Sequence, residues 1–400
     1  MDAATSVRGG PESVARLIEA ARDASPIAGL THNFYRYPAR FSPKLVRAAI
    51  EAFTAPGDLV LDPFVGGGTT LVEAMVSGRH AVGADISSLA TFISEVKTTI
   101  YSEDELAALT RWANRIAKGI NIWSPVPRDE HYEDAGYTKH LDSAANWRLK
   151  KAIEQVLVTA RRLKPKRLEA FARCVLLRTS QWALNGRKSL PTIADFRDML
   201  LTDATAMIAG ARELREAVLS SGHGFTDILC LNRTTHGLES EAMFAGGRRP
   251  RLVVTSPPYP GVHVLYHRWQ VDGRKETPAP FWIANQLDGD GAAYYTMGSR
   301  TKELNSYFAN LKASLQSIAA LCDPDTMVVQ VVAFAQPEWQ LPRYLSVVDD
   351  VGFAECLVPT GASTPDGRLW RTVPNRRWYA DQRGTTNSSE EVVLFHRLRD

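Results

Sequence analysis

Four residues, Ser256-Pro257-Pro258-Tyr259, sit directly behind the apolar run Leu252–Thr255. A hydroxyl, two consecutive prolines and an aromatic ring at a strand end have two readings. One is a tight turn leaving a sheet, for which proline presets the backbone. The other is a clamp for a flat amino group. A serine hydroxyl can accept a hydrogen bond, a Pro-Pro step stiffens the carbonyl it presents, and a ring can stack on a planar partner.

A second motif, DPFVGGGTT (Asp62–Thr70), follows another apolar run and opens a helical pattern. Glycines there let the backbone approach a ligand and adopt angles that a Cβ forbids. Amides at a helix start point outward as donors. The spacing is not the G-x-G-x-x-G dinucleotide fingerprint, and no lysine follows as in a phosphate-cradling P-loop. An acid, Asp85, ends the next strand-like run, a position that reaches a ribose diol in open α/β sheets. A glycine turn plus a strand-end acid implies an adenosine-type ligand with no essential pyrophosphate. The alternative is a glycine-rich turn with a helix-capping aspartate.

The elements that must hold these residues follow a regular pattern. Short apolar runs recur at Leu59–Asp62, Ala81–Asp85, Ile228–Leu231, Leu252–Thr255, Met327–Ala333, Phe353–Val358 and Val392–Phe395. Continuous apolar runs suit strands buried on both faces. Helical patterns lie at Pro43–Phe53, Thr69–Ser77, Ser87–Thr98, Lys302–Leu321 and Leu341–Val351. The alternation predicts an α/β sheet covered on both faces. It breaks between about Tyr101 and Gly224, which reads as helical apart from a polar interval, Ser124–His140. The predicted organisation is therefore residues 1–100 and 226–400 as two halves of one α/β unit, split by a helical insertion at 101–225.

Net charge is only +3 over 400 residues, so its distribution carries more than its sum. Between Asn146 and Leu190 stand Arg148, Lys150, Lys151, Arg161, Arg162, Lys164, Lys166, Arg167, Arg173, Arg178, Arg187 and Lys188. Only Glu154 and Glu169 oppose them within that window. The cluster reads either as a phosphate-binding face or as a solvated surface neutralised from elsewhere. Basic residues mix with rings in Gly261–Gln286, where Tyr266, His267, Arg268 and Trp269 read either as nucleic-acid contacts or as a loop packed by its own aromatics, and again in Arg368–Gly384, which holds Arg371, Arg376 and Arg377. The four cysteines, Cys174, Cys230, Cys322 and Cys356, are scattered, which favours free thiols. The histidines lack ligand spacing, and no metal is expected. No run is long enough to span a membrane and no apolar signal core opens the chain, so a cytoplasmic protein is expected.

Taken together, DPFVGGGTT and SPPY resemble the S-adenosylmethionine-dependent DNA amino-methyltransferases, which methylate N4 of cytosine or N6 of adenine. HNFYRYPARFSPKL (His32–Leu45) matches the family's N-terminal segment. The resemblance covers about residues 31–100 and 225–400. It implies a seven-stranded Rossmann-like methyltransferase sheet, with the cofactor half first, as in the family's α-type order, and the insertion as target-recognition region. It implies that Asp62, Phe64, Gly66, Gly68 and Thr69 line the methionine end of S-adenosylmethionine, that Asp85 binds its ribose, and that Phe41 and Pro43 close the site. Asn232, in ILCLNRT, falls where the family often has an Asp near the adenine. Ser256 and Pro257 become the acceptors for the target amine, with Pro258 stiffening the turn and Tyr259 stacking on an extruded base. Serine at the first clamp position resembles the cytosine-N4 members. Cytosine-C5 chemistry is excluded, because it needs a cysteine after a proline and none here follows one. The implied partners are DNA and a cognate restriction or defence-system protein. Adenine N6, an RNA amine such as guanine N2, and a silent DNA-binding scaffold are the alternatives.

Overall fold

The computed structural model describes residues 5–6, 11–36, 41–261, 267–289, 295, 297–298, 303–358, 366–372 and 390–399. The strands are β1 (Thr5–Ser6), β2 (Leu59–Asp62), β3 (His80–Asp85), β4 (Ile228–Asn232), β5 (Leu252–Thr255), β6 (Trp269–Val271), β7 (Lys275–Thr277), β8 (Met327–Val332), β9 (Phe353–Leu357), β10 (Leu369–Thr372) and β11 (Glu390–Leu398). The helices are α1 (Pro11–Arg22), α2 (Pro43–Phe53), α3 (Thr69–Val76), α4 (Ser88–Thr98), α5 (Glu103–Gly119), α6 (Glu130–Asp134), α7 (Trp147–Ala160), α8 (Lys166–Leu184), α9 (Ile193–Ser220), α10 (Ala279–Ala284), α11 (Asn305–Leu321) and α12 (Pro337–Asp350).

Nine strands form one sheet in the order β1-β9-β11-β8-β5-β2-β3-β4, with β10 beside β11. From β4 to β8 the pairing is parallel, and β11 enters antiparallel between β8 and β9. The strand period of two assigns the two faces. Leu59, Leu61, Val253, Val328 and Val332 pack under α11 and α12, while Val60, Leu252, Val254, Met327 and Val329 pack under α1 and α2. Every residue of β2, β5 and β8 is buried, as strands covered on both faces require.

Chain order reverses at β2. The path runs from β2 out to β3 and β4, then returns to β5 on the other side of β2. In open α/β sheets a crevice forms outside the strand ends at such a reversal. Here the two strand ends are Asp62 and Thr255, the residues that open both motifs.

Residues 101–225 hold α5, α7, α8 and α9, with only the short α6 in the polar interval. Capping boxes start two of these helices, Ser102 with Glu105 at α5 and Thr192 with Asp195 at α9. The core beneath them is shared: Leu89, Phe92 and Ile93 of α4 and Trp282 of α10 join one cluster with Leu106, Val156, Phe171 and Phe196. The sheet has nine strands where the sequence predicts seven, and β1, α1 and α10 have no counterpart in the sequence expectation. The last sheet-covering helix starts four residues early, at Pro337. The β6–β7 hairpin and β10 fall in segments read only as loops rich in rings and cations, because three- and four-residue strands carry too little periodicity to be seen.

Candidate active site

Asp62 ties the two motifs together. Its buried carboxylate accepts from Thr70 Oγ1 at 2.5 Å, Thr255 Oγ1 at 2.7 Å and the Phe64 amide at 3.2 Å. Thr70 lies in the first turn of α3 and Thr255 ends β5. One side chain therefore joins the glycine loop, its helix and the residue before Ser256. These bonds use three of roughly four acceptor sites on a carboxylate. Burial pushes the Asp62 carboxyl up to about 6 against the pull of those donors.

The glycine loop is braced from behind. Gly66 and Gly68 take φ of 47° and 73°, in the left-handed region open to glycine. A Cβ on Gly68 would lie 2.6 Å from Ser94 Oγ of α4. Ser94 Oγ donates to the Gly66 carbonyl at 3.2 Å, and the buried Lys97 ammonium donates to the Gly67 carbonyl at 2.5 Å. Further back, Glu73 of α3 holds His32 Nε2 at 2.7 Å and Arg47 Nε at 2.7 Å. That carboxylate docks His32 and α2 onto the helix of the loop. Ser42 caps α2 by accepting from the Leu45 amide, and Pro43 occupies its first turn. Phe41 is half-buried against the core under α2.

On the open side, the half-buried Asp85 carboxylate accepts from the Gly66 amide and the Ser87 amide, each at 2.9 Å. Burial pushes this carboxyl up to about 6 as well. Asn232 stands opposite Asp85 across β3 and β4. Its amide nitrogen donates to the Asp85 and Ile86 carbonyls at 3.0 and 3.1 Å. Both amide hydrogens are then spent, and the acceptor Oδ1 remains.

Beyond β5, Ser256 Oγ donates to the Tyr259 hydroxyl at 3.0 Å, and that hydroxyl donates to Glu391 Oε1 at 2.6 Å. Tyr307 of α11 donates to the Pro258 carbonyl at 2.7 Å. Among the described residues no donor occupies the Pro257 carbonyl. Nearby, the buried His267 Nδ1 lies 3.0 Å from Ser87 Oγ and its ring 3.9 Å from that of Tyr295. Burial pushes His267 down to about 3, so it stays neutral at ordinary pH. Trp269 Nε1 donates to the Tyr35 hydroxyl at 3.0 Å, linking the N-terminal segment to the chain after the clamp.

This arrangement gathers the glycine loop, the Asp85 carboxylate, Ser256 and Pro257 at the carboxyl ends of the neighbouring strands β2, β3 and β5. Residues 21–94 match the model of the N6/N4 family described as DNA methylase. The type II methyltransferase M.MjaII of Methanocaldococcus jannaschii is 39% identical over 75 residues, 19% of this chain and 14% of that protein. The type II methyltransferase M.BsoBI of Geobacillus stearothermophilus is 41% identical over 111 residues, 27% of this chain and 20% of that protein. Over residues 21–94 the chain is similar to the DNA amino-methyltransferase family. Its matches span a fifth or less of the length of these two relatives. A tRNA (guanine(10)-N2)-dimethyltransferase of Methanothermobacter thermautotrophicus is 47% identical over 51 residues, 12% of this chain and 15% of that protein. Among solved structures, the rRNA methyltransferase aviRa of Streptomyces viridochromogenes aligns at 12% identity with a TM-score of 0.36, over 98% of this chain and 94% of that one.

The family matched over residues 21–94 implies S-adenosylmethionine as methyl donor. The residues present fit that cofactor. The ammonium that reaches the glycine loop, Lys97, is buried behind it on a carbonyl and offers nothing to a pyrophosphate. Asp85 stands half-open as an acceptor pair for a diol, and Asn232 keeps an acceptor oxygen beside it. Among the described residues, no group of three His, Cys, Asp or Glu side chains forms a metal-like cluster, and no helix is long and apolar enough to cross a membrane.

The nucleic-acid contacts expected from the sequence divide sharply. Lys150 is buried among Glu133, Asp142 and Glu154, and Lys151 pairs with Glu154. Arg161 pairs with Asp129, Lys166 with Glu169 and Arg268 with Asp288. Outside that set, Arg167 pairs with Glu105 and Arg178 with Asp203. Most of these acids lie outside the sequence window that seemed so basic. Arg148, Arg162 and Lys164 are exposed and have no carboxylate partner among the described residues, with Arg148 lying 4.6 Å over the Trp147 ring. Arg371 is buried opposite Glu391, 3.6 Å from its carboxylate, and faces inward. Arg376 and Arg377 lie outside the described residues. Tyr259 is only 4% exposed, so in this conformation its ring does not offer a face to a base. Sequence reasoning missed Thr70, Thr255, Lys97, Tyr307 and Glu391, none of which stands out except by its partner.

Proposed function

We propose that this protein transfers a methyl group from S-adenosylmethionine to the exocyclic amine of a DNA base, N4 of cytosine first. The observation that carries the reading is the hydrogen bond at the β2–β5 reversal from Thr255, the residue before the half-buried Ser256, to Asp62 at the head of the glycine loop. That bond fixes the relation of the two motifs. An exocyclic amine is a poor nucleophile because its lone pair is delocalised into the ring. Two acceptors on its two hydrogens favour the pyramidal form, and fixed acceptors do this without reorganisation. The cofactor supplies an electrophilic methyl group on a sulfonium. Phe64, Gly66, Gly68 and Thr69 line its methionine end, Phe41 and Pro43 close over it, and an aromatic ring suits a sulfonium's charge. Asp85 accepts from the ribose hydroxyls, and Asn232 Oδ1 accepts from the adenine amine. The target base must leave the helix to reach the clamp. Arg148, Arg162 and Lys164 supply backbone phosphate contacts from the insertion.

Serine rather than Asp or Asn at the first clamp position favours cytosine N4 over adenine N6. A second reading, an RNA amine, is favoured by the match to the tRNA dimethyltransferase. Nucleoside mass spectrometry after incubation with S-adenosylmethionine and either unmethylated genomic DNA or total RNA separates these. N4-methylcytosine in DNA is the expected product. N6-methyladenine would overturn the base assignment alone, and a product confined to RNA would overturn the polymer. Cofactor binding with no product in either would sink the enzymatic reading.

A further inference from the structure

Tyr259 is buried with its hydroxyl bonded on both sides, and this decides which way the Ser256 proton points. Glu391, the second residue of β11, receives the Tyr259 hydroxyl at 2.6 Å, and Arg371, its cross-strand partner on β10, lies 3.6 Å from the other carboxylate oxygen. The Tyr259 hydroxyl is the donor in its bond to Glu391. With its one hydrogen spent there, Tyr259 can only accept from Ser256, whose oxygen lies 3.0 Å away. Ser256 in turn spends its one hydrogen on Tyr259, and its lone pairs are left for the open side of the crevice.

We propose that Glu391 is a positioning residue for methyl transfer: through Tyr259 it polarises the Ser256 hydroxyl so that Ser256 meets the target amine as an acceptor. A serine without this chain can rotate its hydrogen toward the amine lone pair, which is the pair that must face the methyl group. The orientation matters only during transfer, so it acts on turnover. The inference rests on Ser256 being the amine acceptor, and it gives Tyr259 a role through its hydroxyl that stacking does not require. Hydrogen-bonded chains of this kind strengthen when buried, since the local dielectric is low.

The test compares the full-length wild-type chain with Tyr259→Phe, Glu391→Gln and the double variant. Initial methylation rates on genomic DNA are measured with cofactor affinity and melting temperature. Each single variant is expected to lower kcat by roughly 10- to 100-fold, the range set by loss of a charge-assisted hydrogen bond. KM for DNA and the cofactor Kd should stay within about twofold. Because both residues act on one proton, the double variant should be no slower than the slower single variant. Phe keeps the ring and loses only the hydroxyl, so a fully active Tyr259→Phe overturns the inference. So does a Glu391→Gln that folds and keeps its kcat, or a double variant whose losses multiply. If Glu391→Gln does not fold, Tyr259→Phe alone decides. A wild-type protein that methylates nothing overturns the proposed function, and this inference with it. An active wild type with neutral variants removes the inference only.

Discussion

At the scale of single residues, two carboxyls carry most of the site's order. Asp62 spends its oxygens on Thr70, Thr255 and the Phe64 amide, so Asp62→Ala leaves two buried hydroxyls and a part-buried amide without an acceptor. Its expected cost exceeds about 2 kcal/mol, read by denaturant unfolding. Asp62 and Asp85 have folded-state pKa values raised to about 6. The folded state therefore holds these protons more tightly than the unfolded chain. Their contribution to stability is fully present below the ordinary carboxylate range and lost as pH rises through about 6. Cofactor binding should run the other way. A ribose diol needs Asp85 as an acceptor, so calorimetry should find a flat Kd above pH 7 and a rise of about tenfold per unit below 6. Asp85→Asn should remove that slope, and a slope that survives would mean Asp85 does not meet the ribose. Both aspartates stand inside contiguous motifs, which is why the sequence exposed them. Their partners did not stand out, because Thr255 lies 193 positions from Asp62 and Glu391 lies 132 from Tyr259. No local spacing encodes a contact of that reach.

At the scale of elements, the glycine loop is shaped by the helix behind it. Gly68 is held at positive φ with Ser94 of α4 where a Cβ would go. Gly68→Ala should therefore both strain the backbone and push the loop off α4. The expected outcome is a cofactor Kd raised more than tenfold and a stability loss of about 1 kcal/mol or more, by calorimetry and thermal melting. The strands of the parallel core were legible because apolar runs buried on both faces are continuous. The short β6, β7 and β10 were not, since each is too brief for a period to show. The basic cluster shows the same limit in charge. A window of sequence sums only its own residues, whereas Glu105, Asp129, Glu133, Asp142 and Asp203 arrive from neighbouring elements and cancel about half of it.

At the scale of the whole molecule, the surviving cations predict how weakly or strongly salt acts. Replacing Arg162 and Lys164 together by alanine should reduce the slope of log affinity for DNA against log salt by about 2, if each meets one phosphate. An unchanged slope would move the nucleic-acid face elsewhere. The sheet itself has an order of completion. Strand β11 lies between β8 and β9, yet it is made after both. Until synthesis has passed residue 398, β8 and β9 have a gap between them, with unpaired backbone edges that can recruit other chains. Glu391 arrives on that same late strand. The first three hundred and fifty or so residues can therefore emerge with both sequence motifs already made while the hydroxyl that would receive the amine still has no fixed direction, and the sheet closes in the same step that orients it.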